Sequence, residues 1–370
     1  MECNIAVLPG DGIGPEVVKQ GLKVLSGVSQ RYGHKFSFQY GDVGGIAIDK
    51  TGSPLPEETI KISQQSDAVF FGAIGDPKYD LDPKAKVRPE QGLLGIRKAL
   101  GLFCNIRPVK IYENLAHLAP IKKEYLQDVD LVIYRELIGG IYFGEKGRSP
   151  DGKTAFDTCT YHVPEIERIA HLAFKQAQKR RKKLTLVDKA NVLESSRLWR
   201  ETIQQMAGKY LDVQVDYLFV DNAAMQLIIN PSQFDVILTE NMFGDILSDE
   251  SSVLAGSLGL IPSASIGEKT SLFEPIHGSY PQATGKDIAN PIATVLSVAM
   301  MLDHLNLSDE ARAVESAVSK LLLADLGTPD LHTTGTLSCS QAGDLLEALV
   351  SDESMEIDER KFHQGSSTII

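Results

Sequence analysis

Residues 4–9, NIAVLP, are followed directly by residues 10–16, GDGIGPE, and this short stretch sets the first expectation for the fold. An apolar run that ends at closely spaced glycines predicts a β-strand that enters a tight turn. Pro15 suits the first turn of a helix, and a helix-period pattern continues over residues 15–30. The opening of the chain therefore predicts a strand, a turn and a helix in that order.

The same alternation of strand and helix continues along the chain. Short apolar runs predict further strands at residues 67–71, 130–134, 184–188, 216–220 and 234–239, and helical periodicity predicts helices at residues 165–179 and 192–207. Strands that alternate with helices are typical of an α/β protein with a substantially parallel sheet. The 370 residues suggest about two domains, although no change of composition marks a boundary between them.

The glycine-rich turn does not match the dinucleotide-binding fingerprint of the Rossmann fold. Gly10, Gly12 and Gly14 lack the spacing G-x-G-x-x-G, and no strand end carries an acidic residue about 20 positions later. Two interpretations stay open for this turn, namely a plain tight turn and a loop that lines a ligand site. The turn alone therefore gives no evidence for a Rossmann domain.

Composition and charge disfavour several classes of protein. The net charge of −12 argues against a protein that coats nucleic acid, since phosphate contacts need a basic face. The basic run at residues 179–183 falls where helix 165–179 should end, and we interpret it as a solvated helix end. The apolar stretch 292–302 is too short to span a bilayer of about 30 Å. We expect neither a nucleic-acid nor a membrane partner.

The cysteines and the two ends of the chain indicate the compartment. Cysteines 3, 104, 159 and 339 are scattered without C-x-x-C spacing, which favours free thiols in a reducing cytosol. The N-terminus lacks the basic and long apolar segments of a signal peptide, so we expect a cytoplasmic protein. The polar and charged residues from Ser351 onward predict a surface extension or a frayed tail.

Two aspartates in the segment ENMFGDILSDE are candidates for a metal site. Asp245 and Asp249 are four residues apart in a helical pattern, so both lie on one helix face. Asp221 closes the apparent strand DYLFVD and could supply a third oxygen from another element. Oxygen ligands select Mg²⁺ or Mn²⁺ over zinc. Acidic pairs at this spacing are also routine on solvated helices, so that alternative stays open.

Three arginines could bind an anionic substrate. Arg97 lies in a predicted helix, Arg107 opens or closes a strand, and Arg135 directly follows one. Guanidinium groups bind carboxylates through paired hydrogen bonds, so three converging arginines would suit a dicarboxylic acid. Pairing with surface carboxylates is the alternative for each arginine taken singly.

Tyr142 and Lys189 are candidates for proton transfer. Tyr142 lies among glycines in GGIYFGE, where the backbone can approach a ligand closely. Lys189 directly follows a strand that we expect to be buried, where a lysine could serve as a base. Packing or surface solvation would explain each residue as well, so neither is decisive by itself.

The chain resembles the β-decarboxylating dehydrogenases, that is, the isocitrate and isopropylmalate dehydrogenase family. The resemblance lies in PGDGIGPEV, RPEQGLLGIRKALGLFCNIRP, RELIGGIYFGE, VDKANVLE, ENMFGDILSDE and FEPIHGS…GKDIANP, which follow one another through most of the chain. It implies a two-domain α/β fold that is not a conventional Rossmann fold. It divides the chain into a discontinuous cofactor-binding domain (1–102 and 256–350), a dimerisation and substrate/metal domain (103–255) and a C-terminal extension (351–370).

The resemblance also implies roles for individual residues. Those that would hold the substrate are Leu93 and Leu94, beside an isopropyl branch, with Arg97, Arg107 and Arg135 on its carboxylates. Those that would act in catalysis are Tyr142, which protonates the enol, Lys189, which helps to remove the hydroxyl proton, and Asp221, which also touches substrate. Mg²⁺ or Mn²⁺ would be bound by Asp221, Asp245 and Asp249. Lys189 and Asp221 resemble residues that the second subunit of a homodimer contributes. The cofactor would be bound by Glu90, Glu274, His277, Gly278, Ser279, Gln282 and Asn290.

The activity implied by the resemblance is the NAD-dependent oxidative decarboxylation of 3-isopropylmalate to 4-methyl-2-oxopentanoate and CO₂, a step of leucine biosynthesis. The alternatives are oxidation of isocitrate, homoisocitrate, tartrate or malate, and a regulatory paralogue without catalysis. Leu93 and Leu94 favour the apolar branch, because a third carboxylate buried against leucine would be costly.

The cofactor loop departs from the family's pattern at its last position. The family typically has GSAPD, whose aspartate accepts hydrogen bonds from the ribose hydroxyls, whereas this chain has GSYPQ at residues 278–282. Gln282 can still bond a hydroxyl group, but it lacks the charge that repels a 2′-phosphate. Members that use NADP place a basic residue here, and glutamine is not basic. We therefore expect NAD as the cofactor.

Overall fold

The computed structural model of the chain describes residues 1–80 and 86–358. In chain order its strands are β1 (Glu2–Gly10), β2 (Lys35–Tyr40), β3 (Ala68–Ala73), β4 (Cys104–Lys110), β5 (Asp130–Glu136), β6 (Lys146–Arg148), β7 (Ala155–Asp157), β8 (Lys183–Asp188), β9 (Gln214–Phe219), β10 (Val236–Thr239), β11 (Pro262–Ile266), β12 (Ser271–Pro275), β13 (Leu326–Gly327) and β14 (Gly335–Thr336). Its helices are α1 (Gly14–Tyr32), α2 (Gly45–Thr51), α3 (Glu57–Gln65), α4 (Pro77–Asp80), α5 (Glu90–Ala99), α6 (Val163–Lys179), α7 (Glu194–Ala207), α8 (Val220–Ile229), α9 (Asn241–Ser252), α10 (Ile292–His304), α11 (Ser308–Leu323) and α12 (Cys339–Ser351).

These elements fall into two compact units. The first unit contains Met1–Leu100, Tyr112–Leu118 and the chain from Gly256 onward, and the second contains Gly101–Ile111 and Ala119–Ala255. The segment Tyr112–Leu118 thus belongs to the first unit, although the sequence grouped it with residues 103–255.

The start of the predicted C-terminal extension packs on the first unit. Arg31 of α1 pairs with the carboxylate of Glu353, and Lys320 of α11 donates to the Glu353 carbonyl at 2.6 Å. Glu353 is therefore bound to two helices, whereas the part of the predicted extension from residue 359 onward lies outside the described residues.

The first unit is built on a mostly parallel sheet with the strand order β2-β1-β3-β12-β11. β1 is parallel to β2 and β3, and β3 is parallel to β12, while β11 and β12 are antiparallel. Every residue of β3, AVFFGA, is buried, which is the pattern of a strand covered on both faces. Helix α1 packs against α10, α12 and β3, so the predicted strand–turn–helix opening forms the centre of this unit.

The glycine-rich turn after β1 is tight because a second loop lies against it. The Ile13 N–H donates to the Ser279 carbonyl at 2.8 Å. Gly12 has a φ of 58°, a left-handed conformation that glycine adopts at little cost, and a Cβ at this position would stand 2.0 Å from the Ser279 oxygen. The turn therefore fixes the loop that follows β12.

The second unit has its own mostly parallel arrangement, with the strand order β4-β5-β10-β8-β9. Parallel pairs join β5 to β10, β10 to β8 and β8 to β9, and only β4 runs antiparallel to its neighbour β5. α6 packs on β8 and β10, α7 on β8, and α9 on β4, β5 and β10. Trp199 of α7 is 1% exposed and packs edge to face on Tyr161.

The predicted α/β class is confirmed, and each predicted strand and helix is present with ends that shift by a few residues. Three local placements are wrong. Asp221 lies in the first turn of α8 because β9 already ends at Phe219. Arg107 lies in the middle of β4, and Arg135 lies within β5 rather than after it.

The basic run at residues 179–183 lies at the end of α6, as predicted, and Lys179, Arg181 and Lys182 are exposed, but Arg180 also reaches a buried partner. Arg180 is only 20% exposed; its Nε donates to the fully buried Asp235 at 2.7 Å, and its Nη2 donates to Asp130 at 2.8 Å. Arg181 donates to the Phe234 carbonyl. These arginines neutralise a buried carboxylate at the edge of the second unit, which a charge pattern cannot reveal because the partners are distant in sequence.

The apolar stretch 292–302 forms most of α10, a buried helix of 13 residues. Across residues 1–80 and 86–358, no helix has the length and apolar character needed to cross a membrane.

Candidate active site

Strands β4 and β5 place two of the predicted arginines side by side in the second unit. In this antiparallel pair, Asn105 lies opposite Arg135. Since side chains alternate along a strand, Arg107 projects from the same face of the sheet as Arg135. Arg107 and Arg135 are 9% and 3% exposed. Buried guanidinium groups need partners, and α9 supplies them.

Helix α9 presents Asp245 and Asp249 to these arginines. Arg107 donates through Nη1 to Asp249 at 2.8 Å and to Ser248 at 2.6 Å, while Arg135 pairs with Asp245. The two aspartates therefore share one helix face, as their spacing predicted. Their side chains are 36% and 69% exposed, so each keeps an accessible edge.

A 3₁₀ turn at Gly140–Tyr142 brings a phenol to the same carboxylate. The Tyr142 hydroxyl donates to Asp245 at 2.8 Å, and the guanidinium carbon of Arg135 lies 5.7 Å from the centre of the Tyr142 ring. Partial burial, and then the hydrogen bond to Asp245, raise the pKa of Tyr142, so the hydroxyl keeps its proton at neutral pH. Asp245 thus bridges a carboxylate-binding arginine and a protonated phenol.

The ends of β8 and β9 bring Lys189 into contact with Asp221. These parallel strands pair Asp188 with Phe219, so the residues that follow them lie close together. Lys189 Nζ donates to Asp221, and this hydrogen bond lowers the pKa of the Asp221 carboxyl. Asp188 is buried and accepts two hydrogen bonds of 2.8 Å from Arg200, which fixes the turn that carries Lys189.

The three predicted metal ligands are not assembled within one chain. In the described part of the chain, no three His, Cys, Asp or Glu side chains are placed to hold a metal ion. Asp245 and Asp249 are together on α9, whereas Asp221 is paired with Lys189. A site with all three carboxylates would need Asp221 from a second copy, as the resemblance implies.

Two buried glutamates lie next in sequence to the arginine–carboxylate cluster. Glu136 is fully buried and accepts the N–H groups of Ile138 and Gly139 at 3.0 and 2.7 Å. Glu240 is 5% exposed, and its Oε2 has no hydrogen-bond partner within residues 1–80 and 86–358. Burial raises the pKa of Glu136 to about 7. Burial, followed by the charges of Asp188 and Glu136, raises the pKa of Glu240 to about 7.

In the first unit, helix α5 carries four of the predicted residues. Glu90, Leu93, Leu94 and Arg97 have the spacing of one helix face. Leu94 is 46% exposed, and Arg97 donates through Nη2 to Glu274 at 3.1 Å. The Nε of Arg97 is buried without a partner among the described residues. Apolar side chains therefore lie beside a guanidinium whose buried donor would gain from a ligand.

A cavity of about 590 Å³ lies in the first unit beside the loop that follows β12. Its lining combines apolar and polar side chains, among them Ile13, Leu258, Ile288, His277, Asn290 and Asp330. Small-molecule sites typically have this volume and combine an apolar wall with a few convergent polar groups. The glycine-rich turn is tight, and it contributes Ile13 to the wall of this cavity.

His277 and Asn290 are the polar anchors of the cavity. Burial lowers the pKa of His277, so its ring is neutral at neutral pH. Its Nδ1 lies 2.9 Å from the Gly278 oxygen, and its Nε2 has no partner in the part of the chain that is described. Asn290 donates to Asp330 at 3.0 Å and accepts from the Ile292 N–H at 3.0 Å. A neutral ring nitrogen and a tethered amide suit an uncharged polar group of a ligand.

The loop that carries Gly278, Ser279 and Gln282 is fixed by residues whose side chains are buried. Ser279 is buried, and Gln282 is exposed. The next residue, Ala283, belongs to a buried apolar cluster with Ile13, Val17, Ala289 and Cys339. The predicted cofactor-binding residues of this loop therefore lie on a fixed segment whose outer position, 282, faces solvent.

Sequence reasoning missed several residues of these sites. Asp11 accepts N–H groups of Gly45, Ile46 and Gly75, and its position between two glycines was a signal for such an ordering role. Asn241 and Asp330 had no comparable signal, since a lone polar residue does not reveal its partner. Leu258 and Ile288 could not be found, because residues that line an apolar cavity have the same pattern as core residues.

The comparison with known sequences gives one family. The family described as isocitrate/isopropylmalate dehydrogenase matches residues 4–346. The chain is 55% identical over 335 residues to the 3-isopropylmalate dehydrogenase of Bacteroides fragilis, a match that covers 90% of this chain and 94% of that protein. It is 52% identical over 348 residues to the 3-isopropylmalate dehydrogenase of Bacillus subtilis, which covers 92% of this chain and 95% of that protein.

Solved structures give the same fold. The isocitrate dehydrogenase from Methylococcus capsulatus matches with a TM-score of 0.84 and 34% identity, over 95% of this chain and 100% of that chain. A β-decarboxylating dehydrogenase from Thermococcus kodakarensis matches with a TM-score of 0.79 and 35% identity, over 96% of this chain and 100% of that chain.

Proposed function

This chain belongs to the isocitrate/isopropylmalate dehydrogenase family, and on that premise we propose that it oxidises and decarboxylates 3-isopropylmalate with NAD⁺. One observation carries the proposal. The sequence of this chain is 55% and 52% identical to two 3-isopropylmalate dehydrogenases, but only 34% identical to the isocitrate dehydrogenase from Methylococcus capsulatus. The products are 4-methyl-2-oxopentanoate, CO₂ and NADH. The reaction belongs to leucine biosynthesis.

The substrate's two carboxylates bind to arginines that already have carboxylate partners. Arg107 and Arg135 are paired with Asp249 and Asp245, and Arg97 is paired with Glu274. A buried guanidinium that lost its partner would be costly, so an exchange of one carboxylate for another keeps the charge compensated. This exchange favours a ligand with two carboxylates over one with a single carboxylate.

Leu93 and Leu94 recognise the isopropyl branch. Leu94 is about half exposed on the same face of α5 as Arg97, so a bound alkyl group removes apolar surface from water on both sides. The third carboxylate of isocitrate would have to be desolvated against these leucines. The apolar branch is therefore bound in preference.

Asp245 and Asp249 suit a divalent cation. They are carboxylates on one helix face with accessible edges, and oxygen donors match Mg²⁺ or Mn²⁺. Asp221 of a second copy would complete the set. Asp245 and Asp249, with Asp221 of a second copy, would hold such a cation, which would supply Lewis-acid stabilisation of negative charge on the substrate.

Two side chains move the protons. Lys189 first releases Asp221, with which it is paired in the chain alone, and gives a proton to solvent; its amine then accepts the proton of the substrate's hydroxyl. Tyr142 keeps its proton at neutral pH, because burial and Asp245 raise the pKa of its hydroxyl, and it delivers that proton to the enol carbon after CO₂ has left.

The cavity of the first unit would hold the cofactor. NAD⁺ supplies the hydride acceptor of the oxidation. The apolar wall formed by Ile13, Leu258 and Ile288 suits a planar base, and His277 and Asn290 provide hydrogen bonds to it. Gln282 is exposed at the end of the loop, where it can bond a ribose hydroxyl. Glutamine offers no positive charge to a 2′-phosphate, which favours NAD⁺ over NADP⁺.

The active enzyme is a cytoplasmic homodimer. Helix α8 exposes Met225, Ile228 and Ile229 at 54%, 48% and 56%, and Asp221 shares the face of Met225 and Ile228 by spacing. Covering this apolar face with a second copy would carry Asp221 and the adjacent Lys189 toward that copy's α9. Four cysteines without disulfides suit a reducing cytoplasm.

The test of the proposed function is turnover by the purified protein. The protein is mixed with Mg²⁺, NAD⁺ and 3-isopropylmalate, and NADH and CO₂ are measured together. We expect equal amounts of both products, and their loss in excess EDTA. A folded protein that releases neither product from any 2-hydroxy dicarboxylic acid would support the regulatory paralogue instead.

A further inference from the structure

A neutral side chain, Asn241, holds the guanidinium of Arg135 in place. Nε and Nη2 of Arg135 both donate to Oδ1 of Asn241, at 3.1 and 2.8 Å. Two N–H groups that converge on one acceptor fix the plane of a guanidinium, which a single contact would leave able to rotate. Asn241 is 1% exposed, so water does not compete for these bonds.

Asn241 is tied in turn to the segment that carries Tyr142. Its Nδ2 donates to the Gly139 carbonyl at 3.2 Å, and its backbone N–H donates to the Tyr161 hydroxyl at 3.0 Å. The Tyr161 ring packs so closely on the turn that a Cβ on Gly140 would stand 2.3 Å from its hydroxyl oxygen. Asn241, at the start of α9, therefore joins Arg135 of β5 to the segment that leads into the turn of Tyr142.

Gly244 allows this arrangement by letting α9 lie on the stem of Arg135. A Cβ at Gly244 would stand 2.6 Å from Arg135 Cγ and 2.7 Å from its Cβ. The helix and the arginine are therefore in direct contact, and Asn241 is the first residue of this helix.

We propose that Asn241 is a positioning residue that orients Arg135 toward the substrate's carboxylate and couples it to the turn of Tyr142. The proposal rests on the proposed function, since it gives Arg135 the role of binding substrate. The neutrality of the amide is the essential point. It takes up two N–H groups of Arg135 without adding a second carboxylate to that of Asp245, whereas a carboxylate in the same place would form a further ion pair and compete with the substrate.

The variant Asn241→Asp tests this because it keeps the shape and the acceptor oxygen while it adds a charge and removes the donor to Gly139. We expect the KM for 3-isopropylmalate to rise about tenfold or more, because the added carboxylate competes with the substrate's carboxylate for the charge-assisted hydrogen bonds of Arg135. We expect a smaller fall in kcat, because the bond to the turn of Tyr142 is lost, and little change in the KM for NAD⁺. Gln205→Glu is the matched control, since Gln205 is exposed on α7 of the same unit and receives the same change of charge. Tyr161→Phe removes only the hydroxyl that supports Asn241, and we expect a smaller rise in the same KM.

Two further readouts make the outcomes distinct. Emission of Trp199, the only tryptophan and a direct neighbour of Tyr161, reports whether each variant keeps its packing. Calorimetric binding of 3-isopropylmalate reports the role of Asn241 without turnover, so it decides the proposal even if the wild-type chain catalyses no reaction. About tenfold weaker binding in N241D alone supports the proposal. If N241D binds 3-isopropylmalate as tightly as the wild-type chain and has the same KM, with or without a lower thermal midpoint, Asn241 only holds the fold. If the wild-type chain does not bind 3-isopropylmalate, both proposals are overturned.

Discussion

The charged cluster of the second unit and the cavity of the first unit are organised in opposite ways. In the cluster, Arg107, Arg135 and Lys189 are each already paired with an aspartate of the same chain. The cavity, by contrast, is an apolar space of about 590 Å³ in which the Nε2 of His277 still lacks a partner within the described chain. The first site must exchange partners to bind a ligand, whereas the second is already shaped for one.

Because of this difference, we expect substitutions in the charged cluster to have larger energetic effects than substitutions in the wall of the cavity. Changing a carboxylate of the cluster alters the charge balance around buried arginines, and such changes cost several kcal/mol. Trimming the wall of the cavity removes only apolar contact area, worth about 25 cal/mol for each Å².

The largest effect is expected for Asp245→Asn. The amide keeps the shape but removes the charge that pairs with Arg135 and that would bind the cation, and it weakens the acceptor for Tyr142. We expect kcat for 3-isopropylmalate to fall by roughly 10²–10³-fold, the usual cost of losing one preorganised electrostatic group. The matched control is Asp212→Asn, on an exposed carboxylate of the same unit. Full turnover by D245N, or by the wild-type protein in excess EDTA, would remove the cation from the mechanism.

A smaller effect on stability is expected at Glu240. Its carboxyl would titrate at 4.5 without perturbation and titrates at about 7 when folded, so between these values the folded protein holds a proton that the unfolded chain has lost. The stability that this proton contributes is complete below about pH 4.5 and is lost as pH rises through 7.

The variant Glu240→Gln removes this titration. We expect it to gain on the order of 1–3 kcal/mol of stability relative to wild type between pH 5 and pH 8, measured by denaturant unfolding. The exposed Glu201→Gln serves as the control and should show no such change with pH. A stability difference between E240Q and wild type that stays constant with pH would contradict the account of this buried carboxyl.

A still smaller effect is expected at the wall of the cavity. Leu258 lines it and is 50% exposed, so Leu258→Ala should leave folding intact while it removes contact area for the cofactor. We expect the KM for NAD⁺ to rise several-fold, corresponding to about 1 kcal/mol, and the KM for 3-isopropylmalate to stay the same. Leu323→Ala, at a leucine that is 76% exposed elsewhere in the first unit, is the control. If both KM values rose equally in L258A, the cavity would not be a separate cofactor site.

The smallest effect is expected at Gln282, the position where the cofactor loop departs from the family's pattern. The wild-type protein should have a higher kcat/KM with NAD⁺ than with NADP⁺, because the loop offers no positive charge to the 2′-phosphate. Gln282→Asp should sharpen this preference, since a carboxylate at this exposed position repels a phosphate with an energy that solvent keeps near 1 kcal/mol or below. A wild-type preference for NADP⁺ would show that the interpretation of residue 282 is wrong.

Features that depend on local sequence patterns could be predicted from the sequence, whereas features that depend on contacts between distant residues could not. The parallel α/β fold follows from the alternation of apolar runs and helical periods, and the shared face of Asp245 and Asp249 follows from their spacing. These are local patterns that need no knowledge of partners. The placement of Asp221 failed because Val220 continues an apolar run, although it already begins α8.

The parts that could not be predicted depend on contacts between distant residues. The bonds from Arg135 to Asn241 and from Arg180 to Asp235 join residues more than fifty positions apart, and neither pair has a local signature. The wall of the cavity brings Ile13 together with residues 258 and 288. Roles for the arginines, Tyr142 and Lys189 came from the resemblance of whole motifs to a family rather than from any single spacing.

Recognition of an apolar branch is what separates 3-isopropylmalate from isocitrate as a substrate, and a substrate series measures that recognition. The measurement is kcat/KM with NAD⁺ and Mg²⁺ for 3-isopropylmalate, 3-ethylmalate, 3-methylmalate and isocitrate. We predict that kcat/KM falls stepwise through the alkyl series, by the roughly 1–3 kcal/mol that one methylene contributes in an apolar pocket. Isocitrate should be the poorest of the four, because its third carboxylate would be desolvated against Leu93 and Leu94 without a partner. A kcat/KM for isocitrate equal to or above that for 3-isopropylmalate would contradict recognition of an apolar branch.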